Sequence, residues 1–250
     1  MRRAPLVLVC ALLAAAPAAP AQAAARPLAG IRVVLDPGHD GGNASHPSVI
    51  NRPVDAGGFR KPCNTTGTST NHGYAEHAFT FAVARTLAAR LRALGATVVL
   101  TRTTDTGVGP CVDRRARIAN AAHPDVVVSI HADGAPGRDR GFHVIEPGLA
   151  PDKGNRAILT SSDRLARDLR AAVLAEGPLP AARYPGGIIT PGLARRTDLA
   201  GLDLSRYPVA LIECGNMRNA TDASVQSSAE GRSEIADGIL AGIEAFVRRG

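Results

Sequence analysis

An α/β fold, one domain with a twisted, mostly parallel central sheet flanked by helices, is what this sequence predicts. Three observations carry that expectation. Five short runs are β-branched and nearly continuous in hydrophobicity: "IRVVLD" (31–36), "ATVVLT" (96–101), "DVVVSIHA" (125–132), "GFHVIE" (141–146) and "VALIEC" (209–214). Strands of that kind belong to sheets covered on both faces. They alternate with segments of helical periodicity, as parallel strands joined by crossover helices do. At 250 residues the chain is also long enough to bury one sizeable core.

The elements follow in order. Residues 1–25 stand apart from the domain. Arg2 and Arg3 precede an apolar run from Leu6 to Ala16, and "APAQAAA" offers small-residue cleavage sites near Ala23 or Ala25. The apolar run is too short to span a bilayer, so the segment reads as a secretory signal. Cys10 follows Val9 rather than a small residue and is read as part of that signal, not as a lipidation site. The catalytic domain is expected over 27–250. After the first strand comes a long segment, 41–73, rich in Gly, Asn, Thr, Ser and Pro and without period. Loops of that length inside compact domains usually carry function, and Gly57, Gly58 and Gly67 offer it hinge points. A helix is expected within "AEHAFTFAVARTLAARLRALG", where Phe79, Val83, Leu87, Leu91 and Leu94 recur on one face and Gly95 supplies the stop. Further helices fit 113–122, 162–176 and 233–248, and a second irregular stretch, 177–207, is placed at the far wall of a cleft.

Charge and cysteines narrow the class. The chain carries +7 at neutral pH, and loss of Arg2 and Arg3 with the leader would lower this to +5. A moderately basic secreted protein suits an anionic extracellular polymer such as a cell wall, although solubility alone explains the charge equally well. Trp is absent and no basic tract is interleaved with aromatics, which argues against nucleic-acid binding. The mature chain is expected to be a monomer with no membrane span, working in the cell wall or a periplasm-like space. Cys63, Cys111 and Cys214 remain after export. Cys63 and Cys111 lie in polar, turn-rich loops while Cys214 ends an apolar strand, which favours a Cys63–Cys111 disulfide and a free thiol.

In open α/β sheets, ligands bind beyond the carboxyl ends of the strands. That rule selects His39 after the first strand, His131 at the end of "VVVSIH" and Glu213 at the end of "VALIE". A catalytic zinc site needs about three N or O ligands and an open position. His39 and His131 supply two nitrogens, Glu76 at the start of the first long helix can supply an oxygen, and Glu213 remains as a base. Each residue alone has a plainer reading. His39 can bond within its turn, His131 can be a satisfied buried histidine, and Glu76 can simply favour a helix N-terminus. Glu213 has the least comfortable plain reading, because acids rarely end buried strands for packing. His77 is turned about 100° from Glu76 around the helix. His72 competes as a ligand only if the helix begins early; His46 and His123 read as loop residues, and His143 as structural. Asp36 either orients His39 or holds the turn, the latter preferred.

The blocks "VVLDPGHDGG", "GYAEHAFTF", "VVSIHADG" and "ALIECGNMRN", in that order, resemble the zinc-dependent N-acetylmuramoyl-L-alanine amidases called amidase 3. The likeness extends over 30–249 and is greatest to compact mycobacterial and actinobacterial members without a wall-binding domain. It implies that His39, Glu76 and His131 hold Zn2+, that Glu213 is the catalytic acid–base, and that Cys63 pairs with Cys111. It implies hydrolysis of the amide between the lactyl group of N-acetylmuramic acid and L-alanine, in peptidoglycan or muramyl peptides. Arg196 and Asp198, in "LARRTDLAGL", are candidate substrate contacts, with a solvated loop as the alternative. One departure stands out: Cys214 directly follows the catalytic glutamate, where Thr or a small apolar residue is more usual, which puts a free thiol near enough to bind or disturb the metal. No segment corresponds to the plugging helix of some family members.

Overall fold

The structure, a computed structural model, describes Met1 and residues 26–249; the leader reading falls on 2–25 and lies outside the described residues. The strands are β1 (Arg32–Pro37), β2 (Pro53–Asp55), β3 (Arg60–Pro62), β4 (Thr97–Leu100), β5 (Val126–Asp133), β6 (His143–Pro147), β7 (Ile188–Thr190), β8 (Leu193–Arg196) and β9 (Val209–Asn216). The α-helices are α1 (Pro47–Ile50), α2 (Glu76–Ala93), α3 (Val112–Ala121), α4 (Leu159–Glu176), α5 (Ala200–Asp203), α6 (Ala220–Ser227) and α7 (Ala229–Arg248).

Seven strands form one sheet in the order β4-β1-β5-β9-β6-β8-β7. The four strands β4, β1, β5 and β9 are mutually parallel, β6 runs antiparallel to β9, and β8 is parallel to β6. All five expected strands are present, and the predominantly parallel sheet follows from them. Alternate side chains go to opposite faces. Val33, Leu35, Val128, Ile130, Ala210 and Ile212 join the larger core cluster, while Val34, Val127, Val209 and Leu211 join the smaller one. Helices α2, α4 and α7 cover the first face. Phe79, Val83, Leu87 and Leu91 are completely buried along one side of α2, as their spacing predicts. Helices α4 and α7 approach so closely that a Cβ on Gly242 would stand 2.7 Å from the Leu169 Cα. Helices α3 and α5 contribute Ala119 and Leu202 to the other face.

The loop segments hold more structure than their composition suggests. Segment 41–73 contains a 3-10 turn (Asn43–Ser45), α1 and the β2–β3 hairpin, and a Cys63–Cys111 disulfide ties it to the start of α3. Beside that bond the Val112 N–H donates to the Cys63 carbonyl, and the Asn64 amide donates to the Pro110 carbonyl. Segment 177–207 supplies β7 and β8, which extend the sheet, and the short helix α5. Helix α7 begins at Ala229 rather than 233 because Ser228 caps it, accepting from the Gly231 N–H. Among the described residues no helix is long and apolar enough to cross a membrane.

Candidate functional site

Because β1, β5 and β9 run the same way, their carboxyl ends share one rim. His39 lies two residues past β1 in a left-handed backbone conformation, φ +58. A non-glycine residue there costs about 1–3 kcal/mol and persists only where its surroundings fix it. Here the Gly38 N–H donates to the Ile130 carbonyl, and the Arg115 guanidinium donates to the His39 carbonyl. The His39 Nδ1 stands 3.1 Å from the Thr65 carbonyl. With its proton donated there, Nε2 is left as a free lone pair, the tautomer a metal-binding imidazole requires.

Glu76 opens α2 and is 3% exposed. Its Oε1 lies 3.1 Å from His39 Nε2 and 3.0 Å from His131 Nδ1. The Ala132 N–H donates to the same oxygen and the Thr68 N–H donates to Oε2. Burial pushes this carboxyl up, but the two imidazoles outweigh it and hold it well below the usual carboxylate range. One ligand atom from each of His39, Glu76 and His131 lies within 4.8 Å of the others. Two imidazole nitrogens and one carboxylate oxygen converging from a strand end, a helix start and a second strand end fit a divalent metal of zinc's ligand preference.

Two glycines make room for this cluster. A Cβ on Gly38 would fall 2.3 Å from the His131 ring, and one on Gly67 would fall 2.7 Å from Glu76 Oε2 and 2.8 Å from the His39 ring. Gly67 thus lines the cluster's wall.

Glu213 is paired in register with His131 across β5 and β9. Its Oε2 is buried and has no hydrogen-bond partner. Burial pushes the carboxyl well above the usual range, Glu76 and Asp133 add to the effect, and Arg196 opposes it. Two cavities meet at this residue. One, of ≈ 210 Å³, is lined by His39, His131 and Glu213 together with Lys61, Leu199 and Leu202. The other, of ≈ 580 Å³, is bounded by Glu213, His143, Asp133, Arg196 and Asp198. Arg196 and Asp198 therefore line the same cavity as Glu213. They also bond each other at 2.8 and 2.5 Å, and Lys61 Nζ donates to the Asp198 carbonyl.

Asp36 does not touch His39. It accepts from Thr101, Ser129 and Arg115, and although burial pushes its carboxyl up, Arg115 and the two hydroxyls hold it at about 2. Arg115 in turn donates to the carbonyls of Pro37, His39, Gly109 and Pro110, so Asp36 shapes the His39 turn through that guanidinium. Arg102 adds donors to the Pro37 and Gly38 carbonyls. Nothing in the sequence singles out these two buried arginines among many exposed ones. His77 is turned away and pairs with Asp105 at 2.8 Å. His72 is exposed, His46 bonds the Gly42 carbonyl, and His123 bonds the Tyr207 hydroxyl. Cys214 is buried in the larger core cluster, on the opposite face of β9 from Glu213.

Comparison with known proteins converges on one group. Residues 33–245 match the family described as N-acetylmuramoyl-L-alanine amidase, Amidase_3. The chain is 43% identical over 244 residues to the N-acetylmuramoyl-L-alanine amidase Rv3717 of Mycobacterium tuberculosis, covering 96% of this chain and 97% of the relative. Among solved structures it is similar to the N-acetylmuramyl-L-alanine amidase Ami1 of Mycobacterium smegmatis, with a TM-score of 0.82 and 41% identity over 89% of this chain and 99% of the other. The apo form of Ami1 from Mycobacterium abscessus gives 0.80 and 43% over 88% and 100%.

Proposed function

The chain belongs to the N-acetylmuramoyl-L-alanine amidase family, and from that premise we propose that it is a zinc enzyme whose metal is held by His39, Glu76 and His131. It is a compact, single-domain peptidoglycan amidase. The bond cut is the amide joining the lactyl group of N-acetylmuramic acid to L-alanine of the stem peptide. One observation carries the metal assignment: three ligand atoms from segments far apart in sequence lie within 4.8 Å of one another, one strand away from a carboxylate with an unpartnered buried oxygen.

When bound, zinc lowers the pKa of water to about 7 and polarises a carbonyl oxygen. Glu213 accepts the proton that the attacking water gives up and returns it to the departing alanine nitrogen. Its carboxylate suits the task because it is buried at the junction of the two cavities. His39 keeps its ring orientation through Thr65, and the missing side chain of Gly38 leaves the space that the His131 ring occupies. Arg196 and Asp198 contact the substrate from the larger cavity, where a stem peptide can offer both carboxylates and amines. Residues 1–25 direct export, so that the enzyme meets peptidoglycan or released muramyl peptides outside the cytoplasm.

Purified protein should contain about one zinc per chain. A chelator should abolish release of stem peptides with a free L-alanine amine, and added zinc should restore it. Glu213→Gln should keep the metal and lose at least about 100-fold in kcat. Stem peptides released at the wild-type rate by metal-free protein, or by the Gln variant, would overturn the assignment.

A further inference from the structure

Glu213 has an imidazole on either side of it. On the β5 side its register partner is His131, and on the β6 side its register partner is His143. Residues directly opposite on antiparallel strands point to the same face, with Cβ atoms about 4.5–5.5 Å apart. His143 and Glu213 both line the larger cavity. Each carries a buried polar atom with no hydrogen-bond partner, Nδ1 of His143 and Oε2 of Glu213. Such atoms are rare in folded proteins, and two on one registered pair need a common explanation. The Tyr184 ring packs edge-on against His143, at 5.9 Å between centroids. That contact fills the space on one flank of the imidazole.

We propose that His143 is a positioning residue for Glu213, its Nδ1–H donating to Oε2 across the β6–β9 pair and fixing the carboxylate's orientation beside the metal cluster. The two residues are already opposed and on one face, so side-chain rotation brings donor and acceptor together. A neutral imidazole suits this role, because it donates one proton without placing a second charge against the carboxylate. Burial keeps His143 neutral, pushing it down to about 4, with Asp133 opposing and Arg196 reinforcing. With one oxygen held by His143, the other is presented towards the cavity that contains His39 and His131. Free rotation of the carboxylate would otherwise spread its lone pairs over orientations that cannot reach the attacking water, and misplacement of that order is costly in rate.

The inference rests on Glu213 being the acid–base residue, so the test includes both positions. Kinetics on a soluble muramyl peptide are measured for the wild type, Glu213→Gln, His143→Phe, His143→Asn and His143→Gln, with zinc content and melting temperature for each. His143→Phe is expected to lower kcat by about 10- to 100-fold with KM and zinc content unchanged. The Asn amide nitrogen lies near the place of Nδ1 and should restore kcat to within about threefold, whereas the Gln amide nitrogen lies near Nε2 and should not. Should His143→Phe fail to fold, the contrast between Asn and Gln decides alone. Wild-type kcat in His143→Phe, loss of zinc in it, or equal kcat in the Asn and Gln variants would overturn the inference. An active Glu213→Gln protein would instead overturn the assignment of Glu213 itself.

Discussion

Gly38→Ala gives a direct test of how the cluster is built. Gly38 is not in the left-handed region, so alanine brings no backbone strain and the methyl group is the whole perturbation. That methyl would stand 2.3 Å from His131 Cε1, 2.5 Å from Nδ1 and 2.7 Å from Nε2. Ordinary van der Waals contact begins near 3.4 Å, so the ring must retreat by roughly 1 Å. The neighbouring backbone has little freedom to move instead, because the Gly38 carbonyl accepts from Thr80 and Arg102 and the Gly38 N–H donates to Ile130. Metal–ligand distances tolerate about 0.2 Å, so a displacement of this size removes His131 as a ligand. Loss of one of three ligands should weaken zinc binding by at least about 100-fold, or about 2.7 kcal/mol. Competition with a chromophoric chelator measures this, and circular dichroism checks that the fold is kept. Gly186→Ala is the control, because a methyl there meets nothing within 4 Å. Wild-type zinc affinity in a folded Gly38→Ala protein would show that the rim is looser than these contacts require.

Two further predictions concern stability. Asp36 is held at about 2 against an ordinary value of 3.8, so below the ordinary value the unfolded chain binds the proton more readily than the folded one. Its contribution, about 2 kcal/mol, is present above pH 3.8 and is lost as pH falls towards 2. Urea midpoints should therefore drop across that window, and Asp36→Asn should flatten the part of the drop that this group causes; an unchanged profile in the variant would refute the attribution. The Cys63–Cys111 bond closes a separation of 48 residues, for which chain entropy gives about 4 kcal/mol. Cys63→Ser should therefore lower the melting temperature under oxidising conditions, and an unaltered melt would remove the bond from the stability account.

The parts of the fold visible in the sequence were those whose hydrophobic pattern matched their period. Phe79, Val83, Leu87 and Leu91 announced α2, and the β-branched runs announced β1, β5, β6 and β9, because these residues and strands are largely buried; β4, only partly buried at one edge of the sheet, showed through its β-branched run alone. The edge of the sheet formed by β8 and β7 was not visible. Strand β7 is only three residues long with both isoleucines exposed, and β8 ends in two exposed arginines, so neither presents a buried apolar run. The antiparallel setting of β6 was equally hidden, since direction leaves no mark on a strand's own composition. At the site, strand-end position pointed to His39, His131 and Glu213, but the ligand set came from likeness to a family. Arg115 and Arg102, which hold the His39 turn, gave no signal because a buried arginine is written like an exposed one.

In the linear sequence Glu213 and Cys214 are adjacent, and a soft sulfur ligand near zinc would compete with the imidazoles. Strand geometry removes that competition. On β9, Leu211 and Glu213 face the smaller cluster and the cavities, while Ile212 and Cys214 face the core under α2, α4 and α7. Burial, with Glu213 and Glu76 adding to it, pushes the Cys214 thiol well above its ordinary range, so it stays protonated and a poor ligand. The same alternation places His131, Glu213 and His143 in one row across β5, β9 and β6. A slip of one residue in the pairing of β9 would exchange the two sets, putting the thiol beside the His39–Glu76–His131 cluster and the carboxylate in hydrocarbon. The apolar residues of β9 that secure its register, Ala210 and Ile212 on one face and Val209 and Leu211 on the other, therefore also decide which of two adjacent side chains reaches the reaction.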